Sequence, residues 1–285
     1  MAEIGLAHLV RAQNGLTPFE TFLASYRTHR GGAAHDLIII FKGFAAQADA
    51  APYRARLAGL SYRELFVPDE GFDIGPYFTA ARQFDYQYFC FLNSFSVLLA
   101  DDWLALLHEH MLRPGVGVVG ATGSYESPYT CYLRQWRERR RHLTGWSRQR
   151  LADEYYGWRD LLRLRVHFNP FPNYHIRTNA FMLPRQVINR LKVGSLRRKE
   201  DVARFESGRR GMTRQVFAMN LAALVVGRDS RAYEPKEWCA SRTFRHDDQS
   251  NLLVADNRTQ QYAQANPASR RLLAEFAWGT NGAII

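Results

Sequence analysis

Two groups of polar residues each follow an apolar run and could bind a ligand together. Asp69 and Asp73 come after the apolar run Leu65–Val67. The polar stretch Asn93–Ser96 comes after the run Tyr86–Leu92. Carboxylates accept hydrogen bonds from the N–H and O–H groups of a ligand, whereas Asn and Ser contribute neutral oxygens. Acids in such positions are also common where they only stabilise the start of a helix.

The elements around these residues predict that both groups lie at one crevice. Apolar runs without alternation, separated by a helical pattern such as Gly75–Gln83, are typical of parallel strands buried on both faces. Ligands of parallel sheets bind beyond the carboxyl ends of the strands. We therefore expect Asp69–Asp73 and Asn93–Ser96 to face the same crevice.

A third polar group lies within His175–Met182, which we predict to be a single strand. Alternation along a strand would put His175, Arg177 and Asn179 on one face. Three polar side chains that point the same way between apolar ones indicate a lined cleft. The alternative is a core histidine with satisfied hydrogen bonds beside a surface arginine.

The chain begins with the pattern of a βαβ unit. Leu6–Arg11 and Asp36–Phe41 are apolar runs, and Thr17–Glu20 between them reads as a capping box with proline at the first helical position. Further apolar runs and helical patterns continue to Val226. The sequence thus predicts one α/β domain over residues 1–230, a mostly parallel sheet flanked by helices.

Residues 123–170 depart from this alternation and are predicted to form a helical insert. The segment 131–165 contains ten arginines against four acids, with these aromatic residues between them: Trp136, Trp146, Tyr155, Tyr156 and Trp158. Such a segment could touch anionic glycolipid or a membrane surface, or grip nucleic acid by phosphate pairing and base stacking. It could also be a solvated helix face whose aromatic residues belong to the core.

Residues 231–285 are predicted to form a C-terminal extension packed on the same domain. Its polar and aromatic residues could close over a ligand as a lid: Trp238, Arg242, Arg245, Asp256 and Asn257.

Composition narrows the class of protein and its partners. Of the 285 residues, 46% are hydrophobic and 13% aromatic, which excludes a disordered chain. The net charge of +11 implies anionic partners such as nucleotide diphosphates, lipid-linked phosphates or acidic membranes. No apolar stretch approaches the ~20 residues of a membrane helix, the N-terminus has no secretory pattern, and three scattered cysteines suggest neither disulfides nor zinc. A cytoplasmic protein is expected.

The order strand, Asp-Glu-Gly-Phe-Asp-Ile-Gly, helix, strand, Leu-Asn-Ser resembles the nucleotide-sugar half of GT-A glycosyltransferases. It is most similar to bacterial inverting family-two enzymes of the polysaccharide and rhamnan-synthesis kind. The resemblance covers residues 5–125 and, more loosely, 175–226. It implies a GT-A fold and transfer of a sugar, with inversion, from a UDP, GDP or dTDP type donor to a glycan or lipid-linked hydroxyl.

The resemblance also implies which residues hold the donor. In this family the turn after the first strand, here that of Arg11 and Asn14, holds the base and ribose. An acid at the place of Asp73 bonds the base or ribose. The predicted donor contacts are Arg11, Asn14, Asp69, Asp73, Asn93, Ser94, His175, Arg177, Asn179 and Arg209.

The metal-binding pattern of the family is degenerate in this sequence. Asn93–Ser96 occupies the place of the metal-binding acids, and the final aspartate of that pattern is absent. Neutral oxygens bind Mg²⁺ or Mn²⁺ weakly, because these cations prefer carboxylates. Either arginines neutralise the leaving diphosphate, or Asp73, Asp101 or His175 supplies a missing ligand. We predict metal independence and assign no metal ligand.

Inverting transfer needs a carboxylate that takes the proton from the acceptor hydroxyl. The family places this base late in the domain, often as an acid pair that opens a helix, and Glu200-Asp201 resembles that pair. Glu206, which is followed by Gly208 and two arginines, is the rival. Any of these acids could instead be an exposed helix residue paired with an arginine. The prediction is divided between Asp201 and Glu206, with Glu200 third.

The residues and the resemblance together predict a cytoplasmic glycosyltransferase of bacterial cell-surface polysaccharide synthesis, with a peripheral contact at the inner face of the membrane. One alternative is a protein that binds nucleotide sugars without transferring them. The other is a nucleic-acid-binding protein that uses residues 131–165. No nucleic-acid motif accompanies that segment, so we expect no nucleic-acid partner.

Overall fold

The computed structural model describes residues 2–141 and 148–279, so Trp146 and the end of the predicted extension lie outside the described residues. The strands are β1 (Ile4–Arg11), β2 (His35–Lys42), β3 (Tyr62–Val67), β4 (Tyr88–Leu92), β5 (Val97–Leu98), β6 (Val116–Gly120), β7 (Gly123–Ser124), β8 (His175–Ile176), β9 (Phe181–Pro184), β10 (Ala222–Val226), β11 (Ala232–Tyr233) and β12 (Val254–Ala255). The helices are α1 (Thr17–Thr28), α2 (Ala51–Arg56), α3 (Ile74–Gln83), α4 (Trp103–Met111), α5 (Pro128–Arg141), α6 (Arg148–His167), α7 (Arg185–Ile188), α8 (Lys199–Ser207), α9 (Met212–Ala218), α10 (Asn257–Gln264) and α11 (Pro267–Trp278).

The main sheet has eight strands in the order β11-β10-β6-β9-β4-β1-β2-β3. Strands β1 to β4 are parallel to one another, and β10 is parallel to β6. Strand β9 runs antiparallel between β4 and β6, and β11 runs antiparallel to β10 at one edge. The prediction of an α/β fold with a mostly parallel sheet flanked by helices is confirmed.

Both faces of the central strands are buried, which explains why these strands are continuous apolar runs in the sequence. Ala7 and Leu9 of β1 belong to the same apolar cluster as residues of α3 and α7. Leu6 and Val10 point to the other face and cluster with residues of α1 and α4. A polar residue on either face of such a strand would be buried among apolar side chains. Polar and apolar residues therefore do not alternate along these strands.

A helix, α1, lies where it was predicted but begins at Thr17, one residue before the predicted Pro18, and the predicted capping box is wrong. Leu16 occupies the position before the helix and offers no side-chain oxygen to its N–H groups. Pro18 lies in the first turn, where the missing N–H of proline has no intrahelical partner to lose. Proline alone therefore located this helix start to within one residue.

The predicted single strand His175–Met182 is wrong. Only His175–Ile176 and Phe181–Pro184 are extended and paired, and they belong to different sheets. Between them Ala180 adopts a left-handed conformation with φ of +47°. No glycine or proline lies between the two strands, so the sequence shows no sign that the predicted strand is interrupted. The one-face argument for His175, Arg177 and Asn179 is therefore lost, although all three remain near the strand ends.

Residues of the predicted insert are helical, as expected, and α5 packs beside α6. Trp136 is buried, and its ring centroid lies 5.0 Å from that of Trp158. Along α6 a row of large apolar side chains lies exposed at spacings of three and four residues, which places them on one helix face. We call this row the apolar stripe: Leu151, Tyr155, Trp158, Leu162 and Val166. None of the helices described is both long and apolar enough to cross a bilayer.

Contacts join the C-terminal residues to the rest of the chain. The Trp278 indole donates to the Phe244 carbonyl at 2.7 Å, and its ring centroid lies 4.8 Å from that of Tyr125. Two ion pairs also cross the predicted boundary, Arg177 with Asp256 at 2.8 Å and Arg245 with Glu126 at 2.9 Å. The boundary at residue 230 itself stays a prediction.

Candidate functional site

A cleft of about 890 Å³ lies at the carboxyl ends of β1, β2 and β3. We call it the strand-end cleft. Parallel strands present their last residues at one edge, so side chains that are distant in sequence meet there. The residues that matter most for its chemistry are Arg11, Lys42, Asp69, Phe72 and Arg197.

Arg11, Lys42 and Asp69 form one charged group in this cleft. Arg11 and Lys42 are the last residues of β1 and β2 and stand side by side in the strand register. Arg11 donates from Nε and Nη2 to the two Asp69 oxygens at 2.9 and 2.7 Å, and Lys42 Nζ lies 3.2 Å from Asp69 Oδ1. The hydrogen bond from Arg11 is the main reason that the pKa of Asp69 falls to about 2. Asp69 thus holds both cations in place at neutral pH.

An aromatic ring stands beside these charges. Phe72 is 37% exposed, and Lys42 Nζ lies 6.0 Å from its ring centroid. The backbone at Gly43 lies close to Asp69. This position requires glycine, because its φ is +72° and a Cβ there would lie 2.9 Å from the Cβ of Asp69. An exposed ring next to cations is suited to a ligand with a flat aromatic part and an anionic part, since bases stack on such rings.

Asp73 is the residue immediately before α3. Its carboxylate is half-buried and makes no hydrogen bond or ion pair with any residue that the structure describes. Burial raises the pKa of Asp73, the charge of Lys42 opposes that effect, and repulsion from Glu206 adds to it. Asp73 is not among the residues that line the strand-end cleft, although the charges of Lys42 and Arg11 act on its carboxylate.

Glu206 lies on α8, and its environment holds the carboxylate firmly. Its Oε1 accepts from the backbone N–H of Thr178 at 2.8 Å and from the Thr178 hydroxyl at 3.2 Å. Its Oε2 accepts no hydrogen bond from the residues that the structure covers. One oxygen thus orients the group and the other can take a proton.

His175 lies beside Glu206. Its Nδ1 is 2.8 Å from the carbonyl oxygen of Asn173, which can only accept, so Nδ1 carries the ring proton and Nε2 has the lone pair. Burial lowers the pKa of His175, although the charge of Glu206 works in the opposite direction. The ring is therefore neutral near pH 7.

Glu206 and His175 line a second, smaller cavity of about 340 Å³, which we call the Glu206 cavity. It lies between the start of β8, α8 and the C-terminal residues. Its other charged lining residues are Glu126, Arg177, Lys199, Arg245 and Arg258. The two predicted donor contacts His175 and Arg177 thus lie here rather than in the strand-end cleft.

Asn93 and Ser94 follow β4 as predicted, but neither lines these two cavities. The Oδ1 of Asn93 accepts from the Phe95 N–H at 3.0 Å and the Ser96 hydroxyl at 3.2 Å, so it closes a turn. Within residues 2–141 and 148–279 no three His, Cys, Asp or Glu side chains are grouped to hold a metal ion. Metal independence stays a prediction.

The other predicted amides lie near the same edge of the sheet. Asn179 accepts from the Thr122 hydroxyl at 2.9 Å, while its buried Nδ2 has no partner among the described residues. Asn14 ends a short 3-10 turn after β1 and is half-buried. It does not line the strand-end cleft.

Three further residues of the predicted site line neither the strand-end cleft nor the Glu206 cavity: Glu200, Asp201 and Arg209. A cavity of about 900 Å³ between α8 and α9 is lined by Asp201 and Arg209. Asp201 Oδ2 accepts from the backbone N–H groups of Arg197 and Arg198 at 3.1 and 2.9 Å, so it caps α8. Glu200 is paired with Arg204 at 2.7 Å. Of the three predicted bases, only Glu206 lines the same cavity as His175.

Sequence reasoning missed Lys42, Phe72, Glu126 and Arg258 as site residues. Lys42 had a signal, because it is a charged residue at the end of an otherwise apolar strand. Arg245 and Asp256 were anticipated only as part of a lid. Glu126 and Arg258 had no local signal, since they lie 132 positions apart and only the fold brings them to one cavity.

Comparison with known proteins yields only structural likeness. No protein-family model and no curated protein matches the sequence. Mannosyltransferase PcManGT from Pyrobaculum calidifontis, solved with GDP-Man and Mn²⁺, aligns with a TM-score of 0.47 and 12% identity over 85% of this chain and 60% of that one. S. aureus TarS aligns with a TM-score of 0.30 and 13% identity over 41% of this chain and 21% of that one. TarS 1–349 with UDP also gives 0.30, with 14% identity over 41% and 34%. This chain spans less than two thirds of each.

Proposed function

We propose that this chain is a GT-A type glycosyltransferase that moves a sugar from a nucleotide-sugar donor to a hydroxyl group. One observation carries the proposal: Glu206 lines a small cavity with one carboxylate oxygen that accepts no hydrogen bond from the described residues, and a larger cleft with cations and an exposed ring lies at the strand ends. Sugar transfer needs a place for the nucleotide, a place for the acceptor, and a carboxylate between them that takes a proton.

The strand-end cleft is the proposed donor site. Phe72 offers an exposed ring on which a nucleobase can stack, and the guanidinium of Arg11 suits a phosphate. Asp73 does not line the cleft, so a contact between Asp73 and the donor ribose stays a prediction. Positive charge from Arg11, Lys42 and Arg197 would stabilise the leaving diphosphate, which is the role that a metal plays in many transferases.

Glu206 is the proposed base. Thr178 holds one oxygen, so the other can accept the proton of the acceptor hydroxyl while that oxygen attacks the anomeric carbon. A base that acts directly on the acceptor gives inversion, since attack comes from the side opposite the leaving diphosphate. Asp201 is not preferred, because its carboxylate caps α8 and lines a different cavity.

The apolar stripe on α6 supports the finer proposal of peripheral contact with a membrane that carries lipid-linked acceptors, as in bacterial cell-surface polysaccharide synthesis. Helices with one apolar face and many basic residues lie in the interface of anionic bilayers. Nucleic-acid binding is less favoured, because several arginines of the insert are already paired with acids: Arg134 with Glu275, Arg140 with Glu154 and Arg159 with Asp160.

The test combines binding and turnover. Thermal shift with UDP, GDP, dTDP, CMP and their sugars, each with Mn²⁺ and with EDTA, should show stabilisation by one nucleotide through binding linkage. Glu206→Gln should keep this stabilisation and lower sugar transfer by about 10²- to 10⁴-fold, the usual contribution of a general base. The matched control Asp201→Asn should retain transfer.

Each outcome separates the possibilities. Nucleotide binding without any transfer by the wild type would favour a binding protein. Full transfer by Glu206→Gln would contradict the assigned base. No stabilisation by any nucleotide would overturn the donor site.

A further inference from the structure

We propose that the Glu206 cavity is the acceptor site and that it selects acceptors that carry an anionic group, a carboxylate or a phosphate, close to the reacting hydroxyl. This inference rests on the proposed transferase function. It adds the substrate class, which neither the strand-end cleft nor the predicted base determines.

The charge of the cavity lining is the first argument. Four cationic side chains, Arg177, Lys199, Arg245 and Arg258, face two acids, Glu126 and Glu206. Glu126 is paired with Arg245 at 2.9 Å, and Arg177 is paired at 2.8 Å with Asp256 behind the lining. Lys199 and Arg258 form no ion pair with any residue that the structure describes. The cavity therefore keeps an excess of positive charge next to the base.

The two inner guanidinium groups are held rigidly, which is the second argument. Both pack against the Phe244 ring, with Arg177 Cζ 4.2 Å and Arg245 Cζ 4.9 Å from its centroid. Arg245 is 6% exposed, and its Nε has no hydrogen-bond partner among the described residues. A buried N–H donor without a partner is costly unless a ligand accepts from it. A carboxylate or phosphate oxygen satisfies that donor.

The size of the cavity is the third argument. At about 30 Å³ for each water-sized group, a cavity of about 340 Å³ holds about eleven such groups. A cavity of this size suits a single sugar unit rather than a nucleotide sugar. Of the two cavities proposed for the substrates, the strand-end cleft, at about 890 Å³, is the larger and has room for a nucleotide diphosphate and its sugar.

In the reaction, the acceptor oxygen forms a bond to the anomeric carbon of the donor sugar. The bond between that carbon and the phosphate oxygen breaks, and its electron pair leaves with the nucleoside diphosphate. The hydroxyl proton goes to Oε2 of Glu206. The excess of cations keeps the anionic acceptor bound beside this carboxylate, which would otherwise repel it.

The test is isothermal titration of the full chain with glucose 6-phosphate, glucuronate, inorganic phosphate and glucose. The two sugar anions should bind, and glucose should bind at least tenfold more weakly than either. The double variant Lys199→Gln/Arg258→Gln should weaken binding of the sugar anions at least tenfold and leave nucleotide affinity unchanged. Lys192→Gln/Arg210→Gln, in the cavity between α8 and α9, is the matched loss of one exposed lysine and one exposed arginine and should change neither.

The outcomes decide between anion sources and between the two proposals. Preference for one sugar anion identifies phosphate or carboxylate as the acceptor group. Binding of inorganic phosphate as tight as that of glucose 6-phosphate would overturn an acceptor site, as would sugar-anion binding that the double variant does not change. Loss of nucleotide affinity in the double variant would assign these cations to the donor diphosphate instead. Absence of nucleotide binding with sugar-anion binding intact would count against the transferase proposal alone.

Discussion

Replacing Arg177 by methionine should leave the carboxylate of Asp256 buried without its cation. Asp256 is 1% exposed and accepts from Arg177 Nη2 at 2.8 Å. It also accepts from the backbone N–H groups of Arg258 and Thr259, at 3.0 and 2.8 Å, which begin α10. Methionine keeps most of the length of the arginine stem and lacks its charge.

The expected loss follows from burial. Removing one partner of a buried ion pair costs about 3 to 5 kcal/mol. The two backbone donors to Asp256 remain, so we expect the lower end, about 3 kcal/mol. For a chain of this size that corresponds to a fall in melting temperature of about 6 °C.

The loss should depend on pH. In the wild type, burial alone would raise the pKa of Asp256, but attraction to Arg177 and hydrogen bonds from Thr259 outweigh it and lower the pKa. The stability from Asp256 is thus present above its unfolded pKa of about 3.9 and is lost as the pH falls through its folded pKa. Without Arg177, burial should raise the folded pKa above about 3.9, so the deficit should be full near pH 7 and shrink towards pH 4.

Urea unfolding at pH 7 and pH 4.5 measures both effects. Arg177→Met/Asp256→Asn should be more stable than Arg177→Met, because no buried charge remains. Arg56→Met, which breaks an exposed pair with Glu20, should cost less than about 1 kcal/mol. A loss below about 1 kcal/mol for Arg177→Met, or one that is equal at both pH values, would refute the reasoning.

Two further predictions concern the cleft and α6. Asp69→Asn should cost about 1 kcal/mol at pH 7 after screening of its 39% exposed side chain. That cost should shrink at pH 3 in urea unfolding, since the Asp69 contribution is lost as pH falls from about 3.9 through its folded pKa of about 2; a cost that does not change with pH would contradict this. Trp158→Ser/Leu162→Ser should lower co-sedimentation with phosphatidylglycerol vesicles at least tenfold, because two large apolar side chains each contribute about 1.5 to 3 kcal/mol. The control Leu112→Ser, on another exposed surface, should leave co-sedimentation unchanged. Equal binding of the stripe variant and the wild type would exclude the stripe as a membrane contact.

Local patterns in the sequence predicted most of the strands but not the placement of β9 in the middle of the sheet. Runs such as Leu6–Arg11 and Asp36–Phe41 lie between two cores, and that burial is visible as continuous apolar sequence. Phe181–Pro184 also reads as apolar, but its antiparallel placement between β4 and β6 depends on pairing with strands far away in the chain. Direction and order of strands are properties of the assembled sheet, and no local pattern encodes them.

In the candidate site, too, some residues could be predicted from local sequence and others only from the assembled fold. Arg11 ends β1 and Asp69 lies two residues after β3, so the rule of strand ends predicts that both lie at this edge of the sheet, whereas Asp73 lies at the start of α3 and does not line the cleft. The choice between Asp201 and Glu206 was not accessible, because both lie on α8 and differ only in what the fold places against them. Backbone N–H groups occupy Asp201, whereas Thr178 presents Glu206 to a cavity.

The position of β9 also sets the order in which the sheet can be completed. Strands β1 to β4 can pair as they leave the ribosome, but one edge of β4 waits for β9, which is made roughly ninety residues later, after the helices of the insert. Until then that apolar edge has no strand to cover it, and open edges of this kind recruit other chains. Arrival of β9 joins the early half of the sheet to β6, and β10 can pair with the other edge of β6 only after a further stretch of chain has been made.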